Sequence, residues 1–426
     1  MWLWKSDRFP VTGRQLSGNG VPGKEDRQAF RKCQLQSPAE DLISNVKGGN
    51  YMEILSKATV YDGRESRNVC SATFTDVAAM PSGRILVSFR GGPTKTPYNT
   101  GENGYTCISD DGGLTFSAPK APFGTILIDG RIPGHVRSYQ LLPVGGKRIF
   151  GVAAVVENME GDDSLPYFNE ETEAIKNTQL FAFFSEDEGE TFTEPVQIPM
   201  KAQYADMSCV MTGPPVLMKN GAILVNFEVY KKYYDTRAID HSAACILSRD
   251  GGKTWETEVT MYQDPDIYAW DHRAGLLSDG SLVDFVWTFD RRKNDYLNIH
   301  RMESADSKTW SGFEDTGLPG QAGNPVTLSD GRLAVVYFDR TGVPACKLAL
   351  SSDGGHTFEE PLVIYEHRAP KAEGAKARYA EAWDEMGKYT AGHCFARELP
   401  GNQLLVVFYQ GPVKDKTNAM LYRLQL

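Results

Sequence analysis

The sequence predicts an all-β protein, a six-bladed β-propeller closed by pairing of an N-terminal strand with the C-terminal blade. Two internal repeats and a count of strands carry that reading. The first repeat is a tight turn leading into an apolar strand. It occurs at Pro81-Ser82-Gly83-Arg84-Ile85-Leu86, Gly145-Gly146-Lys147-Arg148-Ile149 and Asn220-Gly221-Ala222-Ile223-Leu224. It returns at Ser278-Asp279-Gly280-Ser281-Leu282, Ser329-Asp330-Gly331-Arg332-Leu333 and Pro400-Gly401-Asn402-Gln403-Leu404. Glycine accepts positive φ cheaply, so Asn-Gly and Asp-Gly between apolar runs make hairpin turns. From Gly83 to Gly401 the spacing averages about 64 residues, a period suited to one supersecondary unit.

The second repeat is Ser-x-Asp-x-Gly-x-Thr-aromatic. It stands at Ser109–Phe116, Ser185–Phe192, Ser248–Trp255 and Ser351–Phe358, with a shortened copy, Ser304–Trp310, that lacks the glycine. The carboxylate can accept N–H groups of its own turn, and glycine takes the left-handed position. These aspartates are therefore read as structural. Each box follows a hairpin turn, which gives four strands per unit: A, turn, B, loop, C, boxed turn, D. Six such units make a six-bladed propeller. The sixth ends at Ala419–Leu424, one strand short. The segment from Met52-Glu53-Ile54-Leu55 to Val60-Tyr61 can supply it and close the ring. The propeller is thus expected over 51–426. Residues 1–50 carry no period and are read as an irregular extension with a short helix around Ser37 to Ser44.

Composition narrows the function. Acidic residues outnumber basic ones, 55 to 45, for a net charge of −10. That excess argues against nucleic acid as a partner. No apolar run approaches the roughly 18 residues of a membrane span, so no membrane partner is expected. Seven cysteines, an odd number with no CxxC pair, suggest buried reduced thiols rather than a zinc site or disulfide framework. No HExxH spacing occurs, and neither metal nor cofactor is expected. The opening Met1-Trp2-Leu3-Trp4-Lys5-Ser6-Asp7-Arg8 brings charge too early for a signal peptide. A cytoplasmic location is expected, secreted or periplasmic if the true start lies elsewhere.

Strand direction alternates within a blade, so the A–B turns and boxed turns share one regular face. The longer B–C connections, 90–104, 156–178, 229–241, 288–298, 339–344 and 409–417, share the other, where sites are built. The first residues of the A strands point into the same bowl, and they are polar. They include Asp76 in Phe74-Thr75-Asp76-Val77, then Arg131, His135 and Arg137, then Tyr204, Asp206 and Ser208. Tyr268-Ala269-Trp270-Asp271-His272-Arg273, Gln321 with Asn324, and Tyr389 with His393 follow. The ends of the B strands add Arg90, Glu228, Asp290, Asp339 and Arg340. Isolated buried charge is costly, so such a cluster either binds a ligand or plugs the channel with internal ion pairs. Alternation along a strand sends Asp271 and Arg273 to one side, taken as the bowl, and Trp270 and His272 to the other. On that basis Arg273→Ala should keep the fold and weaken binding.

The boxed turns are the signature of the sialidase superfamily, and the chain resembles that superfamily over about residues 52 to 426. The resemblance implies an arginine cluster for a substrate carboxylate, a tyrosine nucleophile activated by a glutamate, and an aspartate acid/base. A bidentate guanidinium matches a carboxylate, and a phenolate avoids repulsion from an anionic sugar. Carried over, Arg273 and Arg340 take two arginine places. The expected Arg-Ile-Pro occurs only at Arg131-Ile132-Pro133, ahead of the second blade, while the first blade reads Phe74-Thr75-Asp76-Val77. The tyrosine's place after Ala391-Gly392 holds His393, with Tyr389 and Tyr379 upstream. Glu228 takes the glutamate's place. The implied function is an exo-acting glycoside hydrolase on an acidic or terminal sugar, with a carbohydrate as partner. Asp271 or Asp76 would be the acid, and Glu228 or Asp206 the second carboxylate. Arg273, Arg90, Arg340, Arg131, His135, His272, Asp206, Asn324 and Tyr389 would bind substrate. Two alternatives stay open. In a uronate lyase, His393 or His272 would abstract the proton and Arg273 would neutralise the carboxylate. The third reading is a non-catalytic glycan-binding propeller.

Overall fold

The computed structural model describes residues 52–95, 101–159, 165–201, 204–238, 241–368 and 379–426. The irregular extension, its helix around Ser37 to Ser44, and Cys33 lie outside the described residues. Six antiparallel sheets surround a common axis, each starting with its inner strand. The first blade runs Ser71–Ala79, Ile85–Gly92, Asn103–Ser109. A single bridge from Thr106 to Lys120 stands where its fourth strand would be. The second runs Ile132–Gly145, Arg148–Glu157, Thr178–Ser185 and the short Val196–Gln197. The third has an interrupted inner strand, Ser208–Val210 then Val216–Leu217, followed by Ile223–Tyr230, Ser242–Ser248 and Val259–Gln263. The fourth is Ile267–Leu276, Leu282–Asp290, His300–Ser304, Ser311–Asp315, and the fifth is Gln321–Thr327, Leu333–Asp339, Ala345–Ser351, Leu362–Glu366.

The sixth blade closes the ring as the strand count requires. Ala391–Leu399, Gln403–Val413 and Lys416–Gln425 are completed by Glu53–Asp62, which pairs antiparallel with the last strand from Glu53↔Gln425 to Asp62↔Asn418. That pairing covers the free edge of Lys416–Gln425 and makes Glu53–Asp62 the outer strand of the blade. One expected loop is absent. The connection 409–417 is a tight hairpin in which Val413 pairs with Lys416, because the two strands simply extend to meet.

Apolar side chains alternate between neighbouring blades and fill the gaps between them. Val336 and Leu348 of the fifth blade meet Leu404 and Val406 of the sixth in one such core. Six free cysteines are among the described residues, all buried. Around the axis the blades are tied by polar bonds. Leu141 N–H donates to Asp76 Oδ2 at 3.1 Å, Ser138 Oγ to the Met211 carbonyl at 3.0 Å, and Asn226 Nδ2 to the His272 carbonyl at 2.6 Å. Arg273 Nη1 reaches the carbonyls of Ala322 and Cys394 at 3.0 and 2.8 Å. Ala396 N–H donates to Asn324 Oδ1 at 2.8 Å, and Thr75 Oγ1 to the His393 carbonyl at 3.1 Å. Each bond crosses from one blade to another, so the belt passes through all six.

The boxed turns are as local as expected. Asp353 accepts from Thr357 N–H at 2.9 Å, from Thr357 Oγ1 at 2.6 Å and from Ser351 Oγ at 2.8 Å. Asp111, Asp187 and Asp250 repeat the pattern with Thr115, Thr191 and Thr254. Desolvation works to raise the Asp111 carboxyl, yet hydrogen bonds from Thr115, Ser109 and Leu114 hold it down to about 2. Asp353 is lowered by the same set of forces. A carboxyl lowered in the native state contributes stability above its unfolded pKa, near ~4, and loses it as pH falls through the native value. Replacing Asp353 by Ala is expected to lower the melting temperature at pH 7 by roughly 1–3 °C, with ligand binding unchanged. Calorimetry at pH 7 and below pH 4 checks this: the difference from the parent should shrink in acid. Loss of binding at full stability would reverse the assignment of faces.

Candidate active site

Five inner strands break register. The shifts fall between Thr73 and Asp76, Val136 and Ser138, Trp270 and Arg273, Gln321 and Asn324, and Gly392 and Phe395. In three of these bulges a non-glycine residue is left-handed: Phe74 (φ 49°), Asp271 (φ 45°) and His393 (φ 49°). Each such residue costs on the order of 1–3 kcal/mol and persists only where its surroundings over-determine it. A bulge re-aims a side chain. Here all three side chains line one cavity of about 180 Å³.

Phe74 and His393 form part of the floor, their rings 4.1 Å apart. Below them Arg273, 2 % exposed, lies 4.0 Å over the Phe395 ring. Its Nη2 stands 3.4 Å from His393 Nδ1. A guanidinium only donates, so Nδ1 accepts and the proton of neutral His393 sits on Nε2. Burial, then Arg273, Lys95, Arg340 and Arg90, push this imidazole well below its ordinary pKa.

One wall is acidic. Glu228, on the second strand of the third blade, accepts the Asp271 N–H at 2.8 Å, Thr212 Oγ1 at 3.3 Å and Tyr230 Oη at 2.5 Å. Burial first and then the Asp271 carboxylate push Glu228 up to about 7. Burial also raises Asp271, against the pull of Arg273. Two enclosed carboxyls that raise each other titrate as a pair and resist losing both protons together.

The opposing wall is cationic. Arg90 lies over Phe74 at 4.6 Å and donates Nε to Thr73 Oγ1 at 3.0 Å. Arg137 lies over Tyr167 at 3.8 Å. Behind both, buried Glu102 stands 3.8–3.9 Å from Arg90, His135 and Arg137. Burial lowers Arg90 to about 10, and Glu102 opposes the shift. Lys95 donates Nζ to the carbonyls of Met386 and Tyr389 at 2.9 and 2.5 Å. Met386 is in the last turn of the helix Tyr379–Lys388 and Tyr389 follows it; burial, then Arg340 and Arg90, push the Lys95 amine well below its ordinary pKa.

The roof and sides are aromatic. From that helix, Trp383 stacks on Phe168 at 4.9 Å with planes 6° apart, and sits edge-on to Tyr230 at 5.9 Å. Trp270, Trp287, Tyr389 and Tyr409 also line the cavity.

Among the sequence candidates, Asp271, Glu228, His393, Arg90 and Tyr389 line the cavity. Asp76 does not: it is buried below the floor, bonded to Leu141 and 3.9 Å from Arg397. Arg273 also departs from expectation. The bulge cancels the two-residue alternation, so Asp271 and Trp270 both reach the cavity while Arg273 points beneath it. His272 is fully buried against Asp284, and Asn324 is spent on Ala396. Arg340 stacks behind Tyr389 at 3.6 Å, held by Gln321 and the Ala391 carbonyl. His135 bonds Asn158 behind Arg137. Arg131 is exposed in the hairpin joining Ile126–Ile128 to Ile132–Gly145, and Asp206 pairs with Lys232 at the surface. The side chain of Tyr379 lies outside the described residues. Sequence reasoning passed over Tyr230, Lys95, Trp383 and Glu102. Tyr230 was findable, since two residues from Glu228 on a strand means one shared face. The others reach the site through connections without a period.

Two outcomes follow from this geometry. The native state holds an extra proton on Glu228 between its ordinary pKa, ~4.3, and about 7. It therefore loses stability as pH rises through that window. Relative to the parent, Glu228→Gln should melt higher at pH 8 than it does at pH 5; equal differences at both would contradict the assignment. Arg273→Ala strands two buried carbonyls and is expected to cost about 3 kcal/mol, measured by denaturant unfolding. This replaces the expectation of an intact fold.

No metal-holding group of three or more His, Cys, Asp or Glu occurs among the described residues, and none of their helices is long and apolar enough to cross a membrane. A search of curated proteins gave no match. Residues 147–389 match the family model described as BNR repeat-like domain, which covers more than half of the chain. Among solved structures, a Dyadobacter fermentans protein of unknown function aligns with TM-score 0.68 at 18% identity, over 88% of this chain and 99% of that one. The Hadza microbial sialidase Hz136 aligns at 0.62 and 16%, over 86% and 68%. The intramolecular trans-sialidase of Ruminococcus gnavus, solved with oseltamivir carboxylate, aligns at 0.59 and 14%, over 86% and 97%. At such identities these likenesses speak for the fold alone. Together with the boxed turns and the family match, they make this chain a member of the BNR repeat-like family and a divergent member of the sialidase superfamily.

Proposed function

We propose that this protein is a glycan-active, exo-acting glycoside hydrolase that takes a terminal acidic sugar. The observation that carries the reading is the enclosed Glu228–Asp271 pair, with Tyr230 bonded to Glu228 at 2.5 Å. The cavity is small, about 180 Å³, below the ~300–1,000 Å³ of drug-sized ligand sites. That size suits one sugar ring at a chain end. Aromatic faces take the C–H faces of a sugar, and Arg90 and Arg137 offer guanidinium groups to a carboxylate.

The chemistry can be balanced on these residues. Above its midpoint of about 7 Glu228 is ionised and accepts hydrogen bonds from three donors, and the reacting form of the pair carries its remaining proton on Asp271. Tyr230 Oη attacks the anomeric carbon and passes its proton to Glu228. Asp271 gives its proton to the leaving oxygen as the glycosidic bond breaks. Water then attacks the glycosyl-tyrosine, Asp271 takes its proton, and Glu228 returns a proton to the departing phenolate. Each carboxyl ends as it began. A phenol in this role avoids the repulsion between a carboxylate nucleophile and an anionic sugar.

One observation favours a second reading. His393 is held neutral at the floor beside cationic side chains, and a neutral imidazole near a neutralised uronate could abstract a proton as a lyase base. Incubation with an aryl sialoside and with uronate-rich polysaccharide separates the two. The expected result is aryl release, reduced at least ~100-fold in Glu228→Gln, Tyr230→Phe and Asp271→Asn. Ultraviolet absorbance from an unsaturated uronate would select the lyase. Binding without turnover of either substrate would leave a glycan-binding propeller.

A further inference from the structure

We infer that His272 and Asp284 form a buried positioning pair that sets the proton affinity of the Glu228–Asp271 dyad. The inference rests on the proposed role of that dyad and adds to it residues that touch no substrate.

His272 and Asp284 are 1 % and 0 % exposed, with Nδ1 3.0 Å from Oδ2. They come from adjacent strands of the fourth blade, directly behind the site. His272 follows Asp271, and the peptides that flank this pair are both fixed. The Asp271 N–H is held by Glu228 at 2.8 Å, and the His272 carbonyl takes Asn226 Nδ2 at 2.6 Å. Gly213 approaches this strand so closely that a Cβ would stand 2.8 Å from the His272 carbonyl and 3.2 Å from Arg273 Cα. The strained Asp271 is thus clamped before it at its own N–H and after it at the His272 carbonyl.

Burial alone would strip the proton from His272. The Asp284 carboxylate outweighs it, so the imidazole is raised. Burial likewise raises Asp284, and His272 pulls it down. Imidazole is the stronger base of the two by more than two pH units, so the proton stays on His272. His272 is the chain neighbour of Asp271, and its imidazolium lowers both Glu228 and Asp271. Other groups that face this cluster are Arg273, Arg340, Tyr167, Tyr230 and His241. His241 is held neutral, down to about 4 chiefly by burial, with Nε2 2.8 Å from the Ala269 carbonyl. It therefore adds no charge near neutrality. Removing His272 leaves Asp284 to protonate, and removing the Asp284 charge leaves buried His272 to deprotonate. Either change takes the same positive charge from the dyad.

The test is a carbon-13 NMR titration of side-chain carboxyls in the full-length protein, with Glu228 assigned through Glu228→Gln. In His272→Gln and in Asp284→Asn the Glu228 midpoint is expected to rise by about one pH unit. The double variant should show the same rise, not twice it. That double variant replaces the ion pair with neutral amides and keeps the test open if a single variant does not fold. A midpoint within about 0.2 unit of the parent in the variants that fold, with only a lower melting temperature, would overturn the inference; 0.2 unit is about 0.3 kcal/mol. The pH dependence of aryl sialoside turnover is a second readout, and its acid limb, set by ionisation of Glu228, should move up with the midpoint. If the parent turns over no sialoside, the hydrolase reading fails, while the titration still decides the pair.

Discussion

The site exists because three side chains are held in a backbone conformation they disfavour. Phe74, Asp271 and His393 sit left-handed in register breaks of inner strands. The polar belt around the axis holds them there. The His393 carbonyl is taken by Thr75, the Asp271 N–H by Glu228, and the next carbonyl by Asn226. Strain of this kind marks functional sites when the surroundings over-determine it. A rigid ring of six sheets is well suited to that task, since no blade can relax without moving its neighbours. Arg273 is the most connected part of the belt. Its single side chain reaches carbonyls of the fifth and sixth blades from the fourth.

Electrostatics follow from the same enclosure. Burial raises the acids and lowers the bases, and what distinguishes the walls is the company each group keeps. Glu228 and Asp271 compete for one proton. Arg90 and Arg137 are backed by Glu102. Burial first, then Arg273, Lys95, Arg340 and Arg90, keep His393 neutral. The result is an acid pair and a guanidinium pair across a cavity the size of a single sugar, under an aromatic roof.

The blades were readable because their signals are local. A glycine turn and an Asp–Thr hydrogen bond depend on four to eight consecutive residues, and both recur. The closing strand was readable by subtraction, since the last unit lacked one strand and Met52 to Tyr61 had none to join. The site was readable only in part. Glu228, Asp271 and His393 were found because strand ends in a propeller converge. Arg273 and Asp76 were misplaced because a register shift is decided by neighbouring strands, not by the residue's own alternation. Lys95, Trp383 and Phe168 arrive on connections whose paths no periodicity encodes. The expected loop 409–417 was a hairpin for the same reason: strand length is set by pairing, and Val413↔Lys416 extends it.

The most direct measurement is a crystal structure with an unreactive acidic sugar analogue. The account expects its carboxylate on Arg90 and Arg137 and its anomeric carbon about 3–3.5 Å from Tyr230 Oη, the separation of a near-attack geometry. An analogue bound with its carboxylate away from both arginines, or with the anomeric carbon out of reach of Tyr230, would contradict it.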